Sequence, residues 1–103
     1  MASEGTFIDQ TQAKAMRNVY EASSSYSANG GQKAVLFGSD KVEEILNQPN
    51  CDGLRIYHGK AIKDNVAESN LILVGVDTSG NDMLDKILDM GVPCPNYCPK
   101  NNW

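Results

Sequence analysis

Asn70-Leu71-Ile72-Leu73-Val74-Gly75-Val76-Asp77 is the stretch that decides the fold. From Leu71 to Val76 it holds no charged or polar side chain. Successive strand residues point to opposite faces of a sheet, so an unbroken apolar run needs cover on both faces. The stretch therefore reads as a central strand. Asp77-Thr78-Ser79-Gly80-Asn81-Asp82 follows it with turn-forming residues.

Upstream, Leu54, Ile56 and His58 alternate with Arg55 and Tyr57, which is the period of a strand. Residues 59–69 are polar and read as a loop, across which the two strands pair antiparallel. Lys33-Ala34-Val35-Leu36-Phe37 is a third, shorter strand, free to join either edge. Asp9 with Gln12 forms a capping box for a helix over about residues 10–26, which Ala28-Asn29-Gly30-Gly31 ends. Its serines around Ser24 weaken it. Gly38-Ser39-Asp40 opens a short helix that buries Val42, Ile45 and Leu46 and stops at Pro49. Met83, Leu84, Ile87 and Leu88 fit a third short helix, with a β-return as the alternative. The tail from Val92 to Pro99 carries three prolines and reads as irregular.

The expected fold is α+β. It has a small three-stranded, mainly antiparallel sheet, one longer N-terminal helix on one face, and one or two short helices. At 103 residues, with 41% hydrophobic and 21% charged residues, the chain is one globular domain. Residues 1–8 form a lead-in and 92–103 the irregular tail. One long helix does not cover both faces of the 71–76 strand, and a three-stranded sheet has open edges. Homo-oligomerisation is the expected remedy.

Nine basic residues against thirteen acidic ones leave a net charge of −4. Lys and Arg contacts with phosphates carry nucleic-acid affinity and attraction to anionic membranes, so neither partner is expected. No apolar run reaches the length of a membrane span. Met1-Ala2-Ser3-Glu4-Gly5-Thr6-Phe7 has neither a basic nor an apolar segment of a secretory signal, so the expected location is the cytoplasm. Three cysteines, an odd number, point to free thiols over a disulfide framework.

Arg55, Tyr57, His58 and Lys60 are the candidate residues for a ligand or a protein partner. On a strand Arg55 and Tyr57 share one face, and His58 points to the other. Arg beside Tyr suits a planar anion, and both are favoured at protein interfaces. Cys94 and Cys98 are the candidates for redox or metal chemistry. Their C-x3-C spacing among prolines is not the C-x2-C of a helix N-terminus that activates a thiolate. With Cys51 and His58 they total four potential zinc ligands, but in no recognised zinc spacing, so no metal site is assigned. Gly38-Ser39-Asp40 holds one glycine where a phosphate-binding loop needs several. Asp77, Ser79 and Asn81 begin like a calcium loop, which then fails, with Asp82 in place of glycine and Leu88 in place of glutamate. No nucleophile with a partnered base and no paired-carboxylate site is legible. Leu73-Val74-Gly75-Val76-Asp77, Gly80-Asn81-Asp82 and the Cys-Pro tail resemble bacterial sequences without naming a family.

The sequence thus points to a small non-enzymatic, cytoplasmic interaction or regulatory module without a cofactor. It self-associates and binds a protein partner. The alternatives are a binder of a small anionic ligand or nucleotide between subunits, and a thiol redox or metal-binding protein using Cys94 and Cys98.

Overall fold

A computed structural model describes residues 2–28 and 30–101. The fold is α+β. Three helices are described, α1 (Gln10–Glu21), α2 (Ser24–Ala28) and α3 (Ser39–Leu46). The strands are β1 (Ala34–Leu36), β2 (Cys51–Lys63), β3 (Val66–Asp77), β4 (Asp82–Leu88) and β5 (Val92–Cys94). β2, β3 and β4 make a three-stranded antiparallel sheet in that order. β1 and β5 make a separate two-stranded antiparallel sheet.

The apolar stretch is the central strand, β3. Its residues are buried on both faces: Leu73 is 3% exposed and Val74 2%. Cross-strand register sorts the neighbours. Leu54, Ile56 and His58 stand opposite Gly75, Leu73 and Leu71 on one face. Arg55 and Tyr57 stand opposite Val74 and Ile72 on the other. On the first face α3 packs through Ile45, which is 2% exposed. Gly75 makes room for it: a Cβ there would lie 3.2 Å from Ile45 Cγ2 and 3.0 Å from Cys51 Sγ.

Several elements differ from the sequence expectation. Residues 59–69 are not a loop but the far half of a long hairpin, paired from Gly59↔Asn70 to Lys63↔Val66. Its two-residue turn, Asp64-Asn65, takes left-handed backbone at both positions (φ 52° and 66°). That is what a tight hairpin turn requires, and Asp and Asn tolerate it. Residues 82–88 form β4, the β-return, rather than a helix. Its register jumps from Val74↔Ile87 to Gly75↔Met83, so Leu84-Asp85-Lys86 bulge out of the ladder. The helix expected over 10–26 is divided at Ser23. That hydroxyl donates to the Tyr20 carbonyl at 2.5 Å and accepts from the Tyr26 N–H at 3.3 Å, ending one helix and capping the next. The Asp9–Gln12 capping box is present, with Gln12 N–H donating to Asp9 Oδ1 at 2.8 Å. α3 is capped by Gly38 without a side-chain bond, so Asp40 sits in its first turn.

The tail is only partly irregular. Val92–Cys94 pairs with β1, and Lys33 N–H donates to the Cys94 carbonyl at 2.7 Å. Gly91 permits the approach, since a Cβ there would lie 2.8 Å from Phe37 Cζ. Tyr97 N–H donates to the Pro93 carbonyl at 3.0 Å, turning the chain back on itself. Cys94 and Cys98 thereby come within 4.7 Å, Cα to Cα, and form a disulfide, while Cys51 is a free thiol. The odd count points to free thiols over a disulfide framework, with the tail pair left free or bridged; it is bridged. The turn overrides the count because it sets the two Cα atoms at bridging distance. No described helix is long and apolar enough to cross a membrane.

Candidate functional site

Two groups of side chains collect the candidate residues, one on each face of the sheet. The first is built on Arg55 and Tyr57. They are two residues apart on β2 and so project to the same side. Asp82, the first residue of β4, reaches that side because it pairs with Val76, which shares a face with Val74. Arg55 Nη1 lies 2.5 Å from Asp82 Oδ1. Tyr57 donates its hydroxyl to Asp82 Oδ2. Each carboxylate oxygen therefore has its own donor, and β2 is tied to β4 across the central strand.

The proton affinities follow from this bonding. The Tyr57 hydroxyl, aided by the Arg55 guanidinium and opposed by partial desolvation, holds the Asp82 carboxyl below its ordinary value. The hydrogen bond to Asp82 keeps the Tyr57 proton in place, raising that pKa. The same carboxylate raises Arg55. Arg55 is matched by a carboxylate of its own chain, so its charge is committed to the fold. The group is a brace rather than an open anion grip. Sequence reasoning missed Asp82. Its only sequence signal is an acid directly after the turn that follows the central strand.

His58 and Lys60 lie on the opposite face, as their even spacing from Ile56 requires. They line a cavity of 470 Å³ between the hairpin and the β1 segment. Tyr20, Gln32, Lys33 and Asn70 also line it. Lys33, absent from the candidates read in the sequence, arrives with the residues leading into β1. It lies 3.9 Å from Glu21, whose other carboxylate oxygen is held at 3.1 Å by Arg17. Asn70 is fixed from two sides. Its Nδ2 donates to Asp89 Oδ1 at 3.0 Å. Its Oδ1 is packed where a Cβ on Gly59 would come within 2.8 Å. That oxygen is buried without a hydrogen-bond partner among the described residues. The bond from Asn70, with a further one from the Met90 N–H, lowers the Asp89 pKa.

The remaining motifs serve the fold. Asp77 Oδ1 accepts from the N–H groups of Ser79 and Asn81, both at 2.9 Å, so the calcium-like stretch is a turn closed by its own aspartate. No group of three or more potential metal ligands is found among the described residues. Cys94 and Cys98 face each other across their disulfide, while Cys51 belongs to β2, so cysteines and His58 do not gather. Comparison with protein families, characterised proteins and solved structures gives no match to this chain.

Proposed function

We propose that the chain is a non-enzymatic interaction module that self-associates and binds a protein partner. The carrying observation is surface left uncovered. The chain exposes 7944 Å², whereas a folded monomer of its 11.2 kDa mass typically exposes about 5,700 Å². Its radius of gyration is 15.4 Å, against about 13 Å for a compact chain of this length. The excess, roughly 2,200 Å², is well above the roughly 800 Å² that one partner buries in a standard interface. Apolar side chains are among what is exposed: Ile56 on β2, Leu84 in the β4 bulge and Met90 after it are 53%, 66% and 86% exposed. β2 and β4 are also the edge strands of their sheet, with backbone groups available for pairing. The Arg55–Tyr57–Asp82 brace supports the non-enzymatic part of the reading, because its charges are spent on one another.

Sedimentation velocity tests the proposal with two surface variants. Ile56→Lys and Leu84→Lys place a charge on apolar positions that are more than half exposed. The protein is expected to sediment as a discrete oligomer, and the two changes together to weaken assembly at least tenfold with an unchanged circular dichroism spectrum. Assembly indifferent to both changes would remove these strands from the interface.

A further inference from the structure

We propose that the cavity between β1 and the hairpin binds a small organic phosphate, a phosphate monoester on a flat body of about mononucleotide size. Its volume, 470 Å³, lies within the roughly 300–1,000 Å³ of small-molecule sites. Among the described residues that line it are three able to carry positive charge, Lys33, His58 and Lys60, and no carboxylate. That is a marked local reversal in a chain of net charge −4. Two of the nearby acids are engaged by other side chains. Glu21 is bridged by Arg17 and lies 3.9 Å from Lys33. Asp89 is engaged by Asn70. Glu68 and Asp89 line the adjoining 590 Å³ cavity, which shares Gln32, Val35, Lys60, Ser69, Asn70 and Leu71 with this one. Among the described residues, His58 and Lys60 have no ion pair or side-chain hydrogen bond, unlike Arg55 on the other face.

The donor set selects the ligand. Lysine ammonium groups bind phosphate as point charges, so two lysines and an imidazole suit a compact, multiply charged anion. A phosphate monoester also offers enough oxygens for several donors at once. Ala34, Val35 and Leu71 supply an apolar wall, and Tyr20 an aromatic edge, for a flat body attached to the phosphate. The site is formed within one chain, so it does not depend on self-association.

Titration of the full chain with AMP, followed by amide chemical shifts, tests this, with adenosine as the uncharged control. AMP is expected to shift the amides of Lys33, His58, Lys60 and Leu71 saturably, and adenosine to bind at least tenfold more weakly. His58→Gln with Lys60→Gln should weaken AMP at least tenfold. Lys86→Gln, which removes one lysine charge from the exposed β4 bulge, should not. The proposal is overturned by no saturable shift with AMP, by shifts elsewhere on the chain, by equal binding of adenosine, or by equal losses in the two charge variants.

Discussion

Asp82 accepts one donor on each carboxylate oxygen, and this fixes how the protein responds to acid and alkali. Its folded pKa lies below the ordinary value because Tyr57 and Arg55 favour the charged form. That stabilisation is present above the unfolded carboxylate pKa and is lost as pH falls through the lowered folded one. Tyr57 works in the opposite sense. Its folded pKa is raised by the bond to Asp82, so its contribution is present below the unfolded tyrosine pKa and is lost as pH rises through the folded one. Asp82→Asn should therefore lose less stability than the parent chain both between neutral pH and pH 3 and between neutral pH and pH 11, as read by urea unfolding. Tyr57→Phe should flatten the alkaline limb in particular. Parallel profiles for parent and Asp82→Asn would mean that the brace does not form in solution. The brace also shows what one-dimensional reading misses. Arg55 and Tyr57 are visible as a pair because they are neighbours on one strand. Asp82 joins them only through the register of three strands, which no local pattern encodes.

Among the elements, legibility follows how far each segment's own chemistry decides its shape. β3 is legible because six consecutive uncharged, non-polar positions leave it no other place than the middle of a sheet. The far half of the hairpin is hidden because its few apolar residues, Ala61-Ile62 and Val66-Ala67, are adjacent pairs that do not alternate, and pairing with the opposite arm makes it a strand. Its turn carries Asp-Asn, a weaker signal than the Asn-Gly or Asp-Gly of two-residue hairpins. β4 is hidden for another reason. Met83, Leu84, Ile87 and Leu88 fall at helical spacing, and the bulge at Leu84–Lys86 absorbs the mismatch with strand period. Two substitutions test these assignments. Asn65→Val puts a β-branched residue at φ 66° and should cost about 1–3 kcal/mol, whereas Asn65→Gly should leave stability unchanged or raise it. Gly75→Ala presses a methyl against Ile45 and Cys51 and should cost about 1–3 kcal/mol, read as a lower urea midpoint. An unaffected midpoint in Gly75→Ala would mean that α3 does not dock as described.

For the whole molecule the governing fact is the imbalance between core and surface. Among the described residues only Ile45, Leu73, Val74, Val76 and Cys94 are buried hydrophobics. Hydrophobic burial is the main favourable contribution to folding, so a chain that leaves so much apolar surface open gains stability when another surface covers it. The sequence indicates this through the double-sided demand of β3, but it does not indicate where the uncovered surface lies. The folded chain covers β3 itself and leaves apolar side chains exposed on the edge strands and after β4, and also on α1 (Met16, Val19) and ahead of it (Phe7). The proposed assembly would use the edge strands, whereas the Lys33–His58–Lys60 cavity is lined by one chain. Sedimentation velocity over a wide concentration series of the untagged, unliganded protein tests the central claim most directly. The account predicts a single species at a whole-number multiple of 11.2 kDa, dissociating only on dilution. A species of 11.2 kDa at every concentration would contradict it.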